Sequence, residues 1–292
     1  MKKSKRILNA LTYLFLTIGV VLILFPMYIT VVTALKTPDE MSANFFGLPS
    51  TLYLGNFDEV IHKAYFGNFV FNSLFITLFS LLGIGVFVPL VSYAIARNFK
   101  KKYYRLIYIL FISGAFVPFT VVMVPQIKLM SYLNAMNSYG LILLYWVFAL
   151  SEGCLLTVSY VNSIPKELDE AAFIDGAGHW TTLTRIILPL CKPSIATVSL
   201  FIILQHWNAW FDGMLYIKDM SLKPLQTYLR SIVIVDSAVG ETGMTLEDAV
   251  ANATADGANG AKIFLAIFPI MCVYPFLQKY FAKGLVRGSV KE

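Results

Sequence analysis

The sequence predicts an all-α, polytopic membrane protein of six transmembrane helices. Hydrophobic residues make up 58% of the 292 and charged residues only 14%, whereas a soluble domain is about 45–50% apolar and about 25% charged. The apolar excess lies in runs as long as or longer than the roughly 20 residues that a helical span needs. Basic residues gather at the ends of those runs, and the alternating pattern of a membrane barrel is absent.

Met1 to Arg6 is a short basic start, and Ile7 to Leu35 holds no Asp, Glu, Lys, Arg or His. That apolar run is too long for a signal peptide and has no small-residue cleavage site, so it reads as an uncleaved first span. Residues 36–66 form a polar, aromatic connector, expected to hold short helices on the outer face or to be a plain linker. Gly67 to Ala96 is the second span, with Pro89 as a possible kink. Arg97, Lys100, Lys101, Lys102 and Arg105 then crowd one short loop, which places it in the cytoplasm. Leu106 to Pro125 is the third span, with Gly114, Pro118 and Pro125 as breakers, and 126–139 is a short outer connector. Gly140 to Asn162 is the fourth span, interrupted only by Glu152. Ser194 to Ile217 is the fifth. The long outer loop, 218–260, begins with a surface helix over 222–229 and continues as an acidic Ala/Gly/Thr/Asn stretch from Asp236. Ala261 to Phe281 is the sixth span, with Lys262 free to snorkel outward. Sixteen of the 23 Lys and Arg fall in the segments assigned to the inside, which puts both termini in the cytoplasm. The domain reading is 1–66, 67–281 and a tail, 282–292.

Composition and motifs exclude several functions. The net charge of +6 is not organised as a basic stripe with interleaved aromatics, so no nucleic-acid partner is expected. Cys154, Cys191 and Cys272 suggest neither a disulfide framework nor a metal site and read as buried apolar filler. No phosphate-cradling Gly-x4-Gly-Lys-Ser/Thr and no His-Glu-x-x-His is present. His62, His179 and His206 fall on different sides of the expected topology, so no catalytic set forms.

Between the fourth and fifth spans lies a polar island. Asn162 or Ser163 serves as a helix cap there, Pro165 sits near the first turn, and Glu167, Asp169 and Glu170 lie near the positive helix end. Gly176 permits a turn with φ > 0, and a second short helix can begin near His179. Pro189 and Pro193 interrupt the pattern before the next span. The island reads Glu170-Ala171-Ala172, three residues, Gly176, nine residues, then Ile186-x-Leu188-Pro189. This spacing resembles the EAA loop of ABC importer permeases at all seven fixed positions. An amphipathic helix resting on the bilayer is the competing reading of the same residues.

From about Gly67 to Phe281 the chain is similar to type I ABC importer permeases, in particular the second permease of maltose-type carbohydrate systems. Lys223-Pro224-Leu225-Gln226 and the tail Tyr274-Pro275-Phe276-Leu277 add to the likeness. The tail resembles the subgroup that handles complex sugars and polysaccharide fragments. The resemblance implies a subunit of a bacterial cytoplasmic membrane, with a second permease, two ATPase subunits carrying MgATP, and an extracytoplasmic sugar-binding protein as partners. It makes residues 163–190 the coupling loop, with Leu168, Glu170, Ala171, Ala172, Ile174, Asp175, Gly176 and Pro189 as the ATPase-coupling set. Glu170 would anchor by an ion pair or hydrogen bond. Ala171, Ala172 and Gly176 would permit close packing, and Leu168 and Ile174 would fill apolar pockets. The chain itself would hold no cofactor and would be no enzyme.

Polar groups inside a bilayer are costly and carry a functional expectation. Glu152 and Asp212, with Gln205, Trp207, Asn208 and Trp210, are candidates to line a sugar path; Asn72 and Ser73 are further ones. Equally, Trp207 and Trp210 serve as interfacial anchors, and Gln205 and Asn208 as bonds between helices. An ion-coupled secondary transporter using Glu152 or Asp212 is the alternative function, although the matching broken-helix repeats it calls for are not evident.

Overall fold

A computed structural model describes residues 2–62, 65–231 and 256–275. Their regular structure is helical, with no strand among the described residues. Five helices are long and apolar enough to cross a membrane, and a bent pair makes a sixth span if its two halves are counted together. The described residues divide into two units: one holds those up to Phe66 with 256–269, the other 67–231 with 270–275.

The first unit contains α1 (Lys2–Ala34), α2 (Pro38–Ala43), α3 (Gly55–His62) and most of α13 (Asp256–Pro275). The connector after α1 does form short helices. Thr37 caps α2 by accepting from Glu40 N, and Pro38 occupies the first turn, where a missing N–H costs nothing. Lys36 is fully buried and donates to the carbonyls of Asn44 (2.5 Å) and Phe45 (3.2 Å). Buried Asn56 ties α3 back to the end of α1 through Ala34 O and Lys36 O. A side chain at Gly260 would meet the backbone of Ala34, so glycine lets α13 approach α1 closely. The expectation for Lys262 is corrected: it is buried, and its ammonium donates to Asn259 Oδ1 rather than reaching outward. Cys272, in the second unit, is exposed in the isolated chain rather than buried.

The second unit carries α4 (Phe66–Arg97) from Gly67 onward, α5 (Lys102–Phe116), α6 (Phe119–Tyr132), α7 (Ser138–Ser163), α8 (Glu167–Ile174), α9 (His179–Thr182), α10 (Leu188–Trp207), α11 (Phe211–Tyr216) and α12 (225–231). The second and fourth spans match the sequence expectation within two residues. The third does not. Its residues form α5 and α6, which meet at 104°. Val117 is held extended ahead of Pro118, as sterics before a proline demand, and the helix cannot continue. The fifth span also differs. One 29-residue helical run extends from His179 to Trp207, through a π turn at Leu183–Ile187. The ring of Pro189 would crowd the carbonyl of residue 185 in a regular helix. That carbonyl lies inside the wider π turn, so Pro189 is accommodated there, while Pro193 lies within α10 without ending it. The chain breaks instead at 208–210 and resumes as α11.

Two apolar clusters hold this unit. One gathers Tyr93, Ile95, Cys154, Val158, Leu183 and Ile187 at the basic end of α4. The other gathers Ile76, Met130, Leu141, Tyr145 and Tyr216 towards its opposite end. Lipid tails are as apolar as leucine, so close packing and hydrogen bonds hold such helices together. Gly153 shows this: an added Cβ would stand 2.8 Å from a Val88 methyl. Trp146 closes over Gly83 and donates from Nε1 to Phe79 O at 3.0 Å. The outer-loop residues 232–255, the end of the expected sixth span at 276–281 and the tail 282–292 lie outside the described residues.

Candidate coupling loop and membrane cavity

α8 follows α7 after the extended residue Ile164. The expected caps are corrected. Ser163 is the last residue of α7 and donates to Tyr160 O, while Lys166 occupies the cap position of α8 without a side-chain hydrogen bond. α8 is fixed from beneath by Asp169, which is 5% exposed. Arg97 Nη2 stands 2.6 Å from Asp169 Oδ2, and Tyr93 donates its hydroxyl to Oδ1 at 2.9 Å. Arg97 Nη1 also donates to Val161 O and Ile164 O at the end of α7. One guanidinium therefore joins three helices. Sequence reading named Asp169 only as a helix-end acid and Arg97 only as a topology signal. Their pairing is 72 residues long-range and has no local signature.

Gly176 has φ +80° and open space around it. Its backbone conformation, rather than a crowded neighbour, requires glycine. Of the expected coupling set, Ala172 is buried within the chain and is not available to a partner. Leu168, Glu170, Ala171, Ile174, Asp175 and Pro189 are all exposed, Ile174 at 86%. Glu170 makes no side-chain hydrogen bond or ion pair among the described residues. Phe173 and Trp180 add exposed apolar surface that sequence reading passed over, and Phe173 packs edge-on against His179.

Further along the unit, the α5–α6 bend, α7, α10 and α11 enclose a cavity of about 410 Å³. Gly114, Pro118 and Phe119 line it from the bend, so the residues that break the third span also make the space. Glu152, Gln205 and Asp212, three of the expected path residues, converge there. Tyr145 donates to Asp212 Oδ2 at 2.9 Å and stacks on His206, with centroids 3.7 Å apart. His206 Nδ1 is buried with no hydrogen-bond partner among the described residues. Glu152 and Gln205 also border an adjoining hollow of about 310 Å³. Sequence reading missed Tyr145, Phe148 and His206. Tyr145, Phe148, Ala149 and Glu152 are spaced i, i+3, i+4, i+7, so one face of α7 could have been found from Glu152 alone.

The other candidates lie elsewhere. Asn72 is buried and donates to Ser221 O (2.7 Å) and Lys223 O (3.3 Å), clasping the segment before α12. Trp207 is buried, and Asn208 donates to Leu204 O of its own helix. Trp210 lies under the Arg230 guanidinium, 5.0 Å from the ring centroid. None of these four lines the 410 Å³ cavity. Among the described residues no three His, Cys, Asp or Glu side chains gather as a metal site.

Apolar spans, a polar cavity among them and a short exposed helical loop at the basic end define a multi-pass membrane permease. The chain belongs to the family of binding-protein-dependent transport system inner membrane components, which matches residues 89–286. It is 34% identical over its whole length to the multiple sugar-binding transport system permease protein MsmG of Streptococcus mutans, and covers 100% of that protein. It is 28% identical to the polygalacturonan/rhamnogalacturonan transport system permease protein YtcP of Bacillus subtilis, over 99% of each chain. A chain in the crystal structure of a bacterial ABC transporter involved in alginate import shares the fold. The TM-score is 0.78 at 24% identity, covering 95% of this chain and 98% of that one.

Proposed function

We propose that this chain is one of two permease subunits in an ATP-driven importer of oligosaccharides or polysaccharide fragments. The observation that carries the reading is the α8–Gly176–α9 loop. Its outer face is exposed and apolar at Leu168, Phe173, Ile174 and Trp180, while its base is fixed to two spans by Asp169 and Arg97. A lever needs both properties: a surface for a motor and a rigid joint to the load. The basic end then faces the cytoplasm, with both termini. Two ATPase subunits carrying MgATP sit beneath this loop and its counterpart on the second permease. An extracytoplasmic binding protein delivers the sugar, in keeping with the family's binding-protein dependence. The sugar type follows relatives named for sugar and polysaccharide transport.

The chemistry of ATP hydrolysis resides in the partners. The purified chain is expected to hydrolyse no ATP, and the assembled complex in proteoliposomes is expected to take up sugar only when ATP is supplied. Uptake driven by an ion gradient without ATP would replace this reading with the secondary transporter in which Glu152 or Asp212 carries the ion.

A further inference from the structure

The cavity has a charge character that bears on which sugars pass. Two acids, Glu152 and Asp212, enter from α7 and α11, and among the described residues no Lys or Arg lines it. Asp212 is fixed on one oxygen by Tyr145, which leaves the other free to accept from a hydroxyl. His206, which also lines the cavity, is held flat against Tyr145. Phe119 and Phe148 supply apolar faces beside these polar groups. This combination suits a polyhydroxylated ring: carboxylates and imidazole for hydroxyls, aromatic faces for C–H surfaces.

The same carboxylates repel a carboxylate on the ligand, and the low dielectric of a membrane cavity strengthens that repulsion. Uronate-bearing chains carry one such group on each acidic residue. We propose that Glu152 and Asp212 act as a charge filter that admits neutral or amino-bearing oligosaccharides and rejects uronate-bearing ones. The proposal rests on the sugar-importer reading above and goes beyond it. It separates this chain from transporters named for galacturonan or alginate despite the shared family and fold.

The test uses the assembled permease–ATPase complex in detergent, without the binding protein, so that the latter's own selectivity does not enter. Binding of a neutral panel, raffinose and maltotriose, is compared with trigalacturonate and an alginate trisaccharide. The neutral sugars are expected to bind at least about tenfold more tightly, a difference near 1.4 kcal/mol. Glu152→Gln with Asp212→Asn should bring that ratio to within about threefold, read on complex that size-exclusion chromatography shows to be assembled. Equal or tighter uronate binding by the wild type overturns the filter. So does a ratio unmoved by the double substitution. Should no sugar of the panel bind and no ATP-driven uptake of any of them occur, the importer reading itself falls, and the filter with it.

Discussion

The two ends of α4 are tied to the rest of their unit by different chemistry. At the basic end, Arg97 and Asp169 form an ion pair with both side chains at most 10% exposed, supported by Tyr93. At the other end Asn72 and Ser73 use neutral hydrogen bonds: Asn72 to two carbonyls, and Ser73 by accepting from Leu225 N at 2.8 Å. Both devices fix a loop to a span. A neutral hydrogen bond contributes about 0.5–1.5 kcal/mol, and its loss spreads little. A buried ion pair adds little net stability, yet removing one partner costs about 3–5 kcal/mol because a bare charge remains. The loop at the basic end is therefore held by an all-or-nothing joint. The segment before α12 is held by small bonds that can be lost singly. A joint of the first kind suits a part that transmits force.

The largest effect should come from Arg97→Met. It strands the Asp169 carboxylate at a cost of about 3–5 kcal/mol, so α8 should lose its seat. Co-purification of the ATPase subunits is expected to be lost while membrane insertion persists. Combining Arg97→Met with Asp169→Leu removes the bare charge and should restore much of the melting temperature. If the single and double variants melt alike, the ionic account of this end is wrong.

Gly176→Val comes next. A left-handed conformation costs an ordinary residue roughly 1–2 kcal/mol, and a β-branched residue suffers more. The turn between α8 and α9 should reshape, and transport should fall further than stability does. Gly178→Ala, at φ −81° with open space around it, is the matched control and should transport normally.

Asn72→Ala leaves two carbonyls without a donor and should lower stability by about 1–3 kcal/mol. ATPase subunits should still bind, in contrast to Arg97→Met. A loss of ATPase binding here would erase the distinction between the two ends. The smallest effect concerns Asp219, whose carboxyl is held below the usual range by hydrogen bonds from the Ser221 hydroxyl and backbone N–H. A depressed folded pKa contributes stability above the unfolded value of about 3.9 and loses it as pH falls through the folded value. Ser221→Ala should raise that folded pKa toward the usual one. Melting curves of variant and wild type are then expected to differ slightly at neutral pH and to converge in acid. Transport at neutral pH should not change.

Much of the molecule was legible as text. Apolar runs without charge can only be spans, because a bilayer leaves the backbone no other partner than itself. The position of Gly176 in the loop followed from turn chemistry, whereas the connector read equally as short helices or as a plain linker. The prolines were harder. The chain bends by 104° at Pro118, whereas Pro189 follows a π turn and the helix continues. A proline states only which hydrogen bond is missing, and packing decides whether the chain bends or widens.

By itself, the sequence determined the class of protein, the helical spans and the polar loop that interrupts them, since hydropathy and local backbone sterics act over a few neighbours. Tertiary structure alone decided that Asp169 turns inward to Arg97 while Ile174 turns out. It alone brought Glu152, Gln205 and Asp212 to one cavity and sent Asn72 to a structural clasp. Those outcomes depend on which faces of distant helices meet, and no local free-energy term records that choice.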